Sequence, residues 1–330
     1  MDIRPSDFSS PEFDEWYSKY TVESFEHPGY PIPERDAPPA AWDRFRAWDE
    51  GEMAAPLAWD LRRYPVAIDD TKLAGVHVGV ITPREGVSGE NSHRVLINLR
   101  GGGFILNPGL SFGKLESIPV ASLGRIKVVT VDYRQAPRYQ YPAATEDVEA
   151  VYRELLKQYA PKAIGIYGCS AGGTLAAQAV AWLQRKNLPR PGAVGIFCSS
   201  PGSKRQSAGD SRLWATVVIP PSQASVIRET YKPFGWYMAG ANASDPDAYP
   251  GASDAVLTKF PATLFLTGTR DPGSSATFAA HARMLRLGVD SSLYVMEGAP
   301  HATHVVAPQT PEAQDANAYI ARWFESRLAQ

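Results

Sequence analysis

The sequence predicts an α/β fold: a mostly parallel eight-stranded sheet flanked by helices, with a helical cap. Three observations carry this expectation. From residue 63 onward, short β-rich apolar runs alternate with helical stretches, the pattern of βαβ units whose sheet is covered on both faces. A polar segment rich in Pro, Gly and Ser, Ser200 to Asp254, interrupts two clear strands. An excursion of that length inside a compact fold is usually functional, and here it predicts part of a lid. The first sixty residues hold four of the eight tryptophans, Trp16, Trp42, Trp48 and Trp59, among many prolines.

Taken in order, Ser10-Pro11-Glu12 reads as an N-cap, a proline at the first helical position and an acid in the first turn. Phe13, Trp16, Tyr17 and Tyr20 follow at helical spacing. This face either packs on a core as an ordinary amphipathic helix or covers a binding site; the two are compatible. Strands are expected at Tyr64–Ile68, Val76–Ile81, Val95–Leu99, Lys127–Tyr133, Ala163–Tyr167, Ala193–Cys198, Thr263–Thr267 and Ser292–Met296. The gap between the first two is short, which suits a hairpin at the sheet edge. Helices are expected at Phe112–Leu123, Ala144–Gln158, Gly172–Lys186, Ala276–Leu287 and Pro311–Leu328. The organisation predicted is a cap segment over 1–60, a core over 61–199, a cap insertion over 200–254 and the rest of the core over 255–330.

Bulk properties narrow the function. The 330 residues are 44% hydrophobic and 21% charged, with a formal net charge of −2. That is globular composition. Cations are scattered, so nucleic acid is not an expected partner. No run of 18 apolar residues predicts a membrane span, and the N-terminus lacks the basic start and apolar core of a signal peptide. Two cysteines, Cys169 and Cys198, are too few for a disulfide framework, and a reducing cytoplasm is expected. The two Cys and six His show no metal-ligand spacing, so neither metal nor cofactor is expected.

The chemistry concentrates at 168-GCSAGG-173. It is G-x-S-x-G between a predicted strand and a predicted helix, the context in which the central Ser sits on a sharp turn with its hydroxyl lifted above the sheet. A plain glycine-rich packing turn is the bland alternative. A dinucleotide-binding turn would want G-x-G-x-x-G near the first strand, and is not matched. Ser170 is therefore the candidate nucleophile. Its partners should follow in the order acid, then His. Of the three later histidines, His281 falls inside a predicted helix, whereas His301 follows a strand; His304, in the same loop, is the fallback. Asp271 in 267-TGTRDPG-273 stands at the carboxyl end of a strand, although Asp-Pro-Gly is also a turn former. Asp290 precedes a strand and sits at the wrong end. His301 would take the Ser170 proton, Asp271 would hold the imidazole, and Ser170 would attack a carbonyl.

The three glycines of 100-RGGGF-104 follow the third strand. They suit a loop whose N–H groups turn toward a developing oxyanion, with the N–H of Ala171 as the other donor. Together with 131-VDYRQAPRYQYPAATEDV-148, 268-GTRDP-272 and Pro300-His301, these segments resemble, in order, the hormone-sensitive-lipase-like (family IV) esterases of the α/β-hydrolase superfamily. The resemblance runs from about residue 75 to the C-terminus. It implies Ser170, Asp271 and His301 as the triad, Gly102, Gly103 and Ala171 as oxyanion donors, no cofactor, and a cap built from the N-terminal helices and the insertion over a short acyl pocket. The implied substrate is a small ester of short to medium acyl chain, with at most a second copy of the chain as partner.

This chain also departs from that family. Arg100 stands where the family has His, Cys169 where it has an acid before the nucleophile, Ser275 where it has a second acid, and Ala302-Thr303 where it has Gly-Phe. Arg100 keeps its charge and, if buried, needs a carboxylate partner. It either positions the loop or faces the pocket to recognise an acidic half-ester. Phe104 is the neighbouring candidate for substrate contact. A weakly active or purely ligand-binding hydrolase fold is the rival from another class.

Overall fold

The computed structural model describes residues 5–26, 32–202, 210–211 and 235–329, with backbone alone for 20–26. The predicted side chain of Tyr20 and most of the expected cap insertion fall outside them.

Three helices open the described chain: α1 (Pro11–Glu26), α2 (Pro39–Glu52) and α3 (Ala54–Arg63). The Ser10 hydroxyl accepts the Phe13 N–H at 3.1 Å and so caps α1. Phe13 and Tyr17 are buried in the core, against the C-terminal helix α8 (Pro311–Arg327), and Glu312 of α8 accepts the Ser10 amide. The aromatic face of α1 thus packs on the core, the plainer of its two expected roles. Helix α2 does something else. Trp42 and Phe45 cluster with Ile105, and Asp49 accepts a hydrogen bond from the Asn107 amide, so α2 sits on the loop that follows the third strand.

Eight strands form one sheet in the order β1-β2-β4-β3-β5-β6-β7-β8. They are β1 (Val66–Leu73), β2 (Val76–Pro83), β3 (Val95–Leu99), β4 (Lys127–Val131), β5 (Ile164–Cys169), β6 (Ala193–Phe197), β7 (Ala262–Gly268) and β8 (Ser291–Met296). The β1–β2 and β2–β4 pairings are antiparallel; every later pairing is parallel. The expected edge hairpin is present. Most strand limits shift by one or two residues from expectation, and two of the differences have a local explanation. At the edge, β1 continues to Leu73 through exposed polar residues that carry no apolar signal. In β4 the strand ends at Val131; Asp132 still donates its amide to His77 of β2, and the Tyr133 carbonyl turns to accept from Arg100.

Alternate residues of the buried strands point to opposite cores. Val95, Ile97 and Leu99 join one cluster with α5 (Ala143–Leu155) and α6 (Ala171–Arg185). Leu96 joins the other, with α4 (Ser111–Gly124) and α8. The remaining long described helix, α7 (Ser274–Arg286), follows β7.

Register decides what meets at the carboxyl ends. Leu99 pairs with Gly168, which sets the loop after β3 beside the turn after β5. Gly268 pairs with Met296, which sets the loop carrying Asp271 beside the one carrying His301. This crevice beyond the strand ends is where open α/β sheets place their ligands.

One buried acid lies away from this crevice. Asp60 of α3 is fully buried, and neither carboxyl oxygen has a hydrogen-bond partner among the described residues. Burial pushes its pKa up to about 8. An unfolded Asp ionises near about 3.9. The folded chain therefore holds a proton that unfolding releases anywhere between those values, and stability falls as pH rises through that window. Asp60→Asn abolishes this term. Its melting temperature relative to wild type is expected to rise from pH 5 to pH 8, reaching an advantage of at least about 2 °C, as read by circular dichroism; an equal difference at both pH values would contradict it.

Candidate active site

The turn between β5 and α6 is sterically committed. Ser170 has φ +56° and ψ −119°, a conformation L-residues avoid. A Cβ on Gly168 would lie 2.1 Å from the Leu99 carbonyl oxygen, and one on Gly172 only 1.7 Å from the same atom. No side chain fits either position, so both flanking glycines are required by the approach of β3. The Ser170 amide donates to the Phe197 carbonyl at 2.8 Å, and α6 begins at the next residue.

The Ser170 hydroxyl lies 2.9 Å from Nε2 of His301, and Nδ1 of His301 lies 3.0 Å from Oδ1 of Asp271. This arrangement has Nδ1 donating to the carboxylate and Nε2 free to accept the serine proton. Asp271 is fully buried. Its Oδ1 also accepts the Gly273 amide at 2.8 Å, and its Oδ2 the Thr267 hydroxyl at 3.2 Å. Burial raises its pKa, but the His301 charge and these hydrogen bonds outweigh that and leave it below the ordinary carboxylate value. Burial also lowers the His301 pKa, and the Asp271 charge and hydrogen bond overturn that, pushing it up to about 9. The alternatives stand elsewhere. His281 of α7 hydrogen-bonds Ser291 of β8, His304 is buried edge-on to Phe197, and Asp290 pairs with Arg327.

A cavity of about 250 Å³ opens at Ser170, with Gly103, Phe104, Ala171 and Cys198 on its wall. Among the described residues, the N–H groups of Gly102, Gly103 and Ala171 donate to no protein acceptor. Gly102 has φ +112°, and a Cβ there would lie 2.6 Å from the Leu106 carbonyl oxygen. Phe104 stacks on Tyr237, ring centroids 4.4 Å apart and nearly parallel. Trp236, beside it, meets Trp42 of α2. The described end of the expected insertion thus touches both the cavity wall and the N-terminal helices.

Arg100 is not on that wall. Its guanidinium is buried, and Nη1 donates to Gln135 Oε1 at 2.7 Å and to the Leu106 carbonyl at 3.3 Å. Nη2 donates to Asp132 Oδ1 at 3.3 Å and the Tyr133 carbonyl at 3.2 Å. The Tyr133 hydroxyl returns a bond to the Arg100 carbonyl at 2.7 Å, beneath a guanidinium 4.4 Å from its ring centre. The carboxylate partner a buried Arg requires is Asp132. These contacts tie the glycine loop to the chain after β4. The described residues lining the Ser170 cavity carry no charged side chain that would select an acidic ester.

One buried acid at the site was not expected. Glu116 of α4 accepts the Gly101 amide at 2.8 Å and the Asn98 side-chain amide at 2.7 Å. Burial drives its pKa up, and bonds from Asn98, Gly101 and Cys169 lower it only as far as about 8. It fixes the first glycine of the loop from behind. The only sequence signal is an acid set within the apolar stretch LESIPVA. The fold also assembles Cys169, Cys198 and His304, which spacing along the chain does not reveal.

The alpha/beta hydrolase fold family matches residues 96–305. An acetyl-hydrolase of Streptomyces hygroscopicus is 29% identical over 227 residues, covering 68% of this chain and 72% of that protein. The esterase LipU of Mycobacterium tuberculosis is 25% identical, covering 76% of this chain and 82% of its own. Among solved structures, esterase E25 is 27% identical with a TM-score of 0.79, covering 100% of this chain and 98% of that one. An esterase of the bacterial hormone-sensitive lipase family is 25% identical with a TM-score of 0.79, covering 97% and 99%. With its sheet order, its strand–serine–helix turn and these relatives in agreement, the chain belongs to the alpha/beta-hydrolase fold family, among its hormone-sensitive-lipase-like carboxylic ester hydrolases.

Proposed function

We propose that the protein is a serine carboxylesterase for short acyl esters, working through Ser170, His301 and Asp271 and an acyl-enzyme intermediate. The observation that carries this reading is the unbroken hydrogen-bonded row from Ser170 Oγ through His301 to buried Asp271, opening on the cavity. His301 accepts the Ser170 proton as Oγ attacks the ester carbonyl, and Asp271 stabilises the imidazolium that forms. Gly102, Gly103 and Ala171 donate to the oxyanion, and His301 then protonates the departing alcohol. Water attacks the acyl-enzyme by the same route in reverse roles. A cavity of about 250 Å³ lies below the range usual for drug-sized ligands, which supports a small acyl group. Arg100 and Glu116 act as positioning residues, one holding each side of the glycine loop.

Turnover of p-nitrophenyl butyrate by wild type and Ser170→Ala tests the reading. The expected loss is at least about 10⁴-fold. If wild type instead binds the ester without turning it over, the protein is a ligand-binding member of the fold.

The pH profile follows from the row. His301 must be neutral to accept a proton, and its pKa is raised by Asp271. Because 41% of the His301 side chain is exposed, solvent screens part of that attraction. The kcat/KM of the free enzyme is therefore expected to rise with pH through an inflection above about 6.5, the ordinary imidazole value, and no higher than about 9. A plateau already reached at pH 6 would count against it.

Arg100→His restores the family residue but offers two ring nitrogens where the guanidinium satisfies four acceptors. The expected result is a fall in kcat of at least about 10-fold with KM changed less, as the oxyanion loop loosens. A rise in kcat would show that the guanidinium network is not what holds the loop.

A further inference from the structure

The chain has two cysteines, and the fold brings both to one point with one of its six histidines. Cys169 ends β5, Cys198 stands one residue beyond β6, and His304 lies in the one-turn helix Thr303–Val306 after β8. The two sulfurs and a ring nitrogen of His304 all lie within 4.8 Å of one another. Both thiols are free and all three residues are buried. Nδ1 of His304, a residue only 3% exposed, has no hydrogen-bond partner among the described residues. Buried polar atoms without partners are rare and call for an explanation.

We propose that Cys169, Cys198 and His304 form a binding site for a thiophilic d¹⁰ dication, Zn²⁺ or Cd²⁺, and that its occupancy shuts off the hydrolytic site beside it. Two sulfurs and an imidazole nitrogen are a donor set these ions prefer, and three protein ligands leave one coordination position open. Cys198 borders the cavity at Ser170, which provides an entry path. Binding is ligand exchange without redox change: the ion gains two metal–sulfur bonds and one metal–nitrogen bond, and the two thiol protons pass to solvent.

The inhibitory part rests on the esterase reading; the binding part does not. Cys198 Sγ, a carboxylate oxygen of Asp271 and a ring nitrogen of His301 also lie within 4.8 Å of one another. A dication held by the thiols therefore lies within a few ångströms of the His301 ring. Its charge opposes the imidazolium on which serine attack depends, and it competes for the Asp271 carboxylate.

The test uses the full chain, reduced and stripped of metal with a chelator, and titrated with Cd²⁺. The expected result is an ultraviolet thiolate-to-cadmium charge-transfer band that saturates at one equivalent, with two protons released in weak buffer. Hydrolysis of p-nitrophenyl butyrate should fall in parallel with the band and recover on chelation. Cys169→Ser and Cys198→Ser should lose the band, and His304→Ala should weaken binding by at least about 10-fold. Because serine variants of buried thiols can misfold, wild type supplies a second reading: bound Cd²⁺ should protect both cysteines from alkylation. No band at one equivalent, a band that survives Cys198→Ser, or unprotected cysteines would overturn the site. Inhibition without the band would place the metal elsewhere and overturn it too. A band in a protein that hydrolyses nothing would sustain the metal site and reject the esterase reading.

Discussion

The carbonyl oxygen of Leu99 is the fixed point around which the rest of the site is arranged. Two glycines of the serine turn close on this one atom, at distances no side chain survives. That contact locks the end of β3 to the start of α6, so the glycine loop and Ser170 cannot drift apart. Pairing of Leu99 with Gly168 in the parallel ladder supplies the same constraint from the backbone. Precision here comes from strand ends and not from loops, which suits chemistry that tolerates errors well under an ångström.

Around that point the loop is held from opposite sides by unlike means. On one side Arg100 donates three hydrogen bonds to the chain after β4 and a fourth to Leu106 of its own loop, and it stacks on Tyr133. On the other, Glu116 receives the Gly101 amide from within the core. Both are buried ionisable groups, costly unless their partners are complete. Arg100 finds Asp132, while its Nε has no partner among the described residues; Glu116 sheds its charge at neutral pH through its raised pKa. Arg100 thus holds the loop through a network and not through a single donor.

The central strands were legible because they are short, apolar and buried on both faces, so a run such as Val95–Leu99 stands out between polar turns. The edge strand β1 was read short, since an exposed edge alternates with polar residues and carries half the signal. Ser170 was marked by its glycines, and Asp271 and His301 by standing at strand ends; chain order then limited the choices. Glu116 was not legible, because one acid in an apolar helix looks the same whether it faces solvent or an amide. The partners of Arg100 were hidden for a related reason: two are backbone carbonyls, present at every residue and specified by none. The meeting of Cys169, Cys198 and His304 depends on strand order and register, which local pattern does not encode.

Two of the acids that burial holds neutral, Asp60 and Glu116, also change how the molecule behaves as a colloid. The formal charge of −2 counts both as ionised. With each pushed up to about 8, both stay largely protonated at neutral pH and add little to the negative charge there. Raising the pH through that value then adds two negative charges from the interior, and charge on a protein opposes contact between copies. Electrophoretic mobility would follow the buried state of two side chains that no surface map displays.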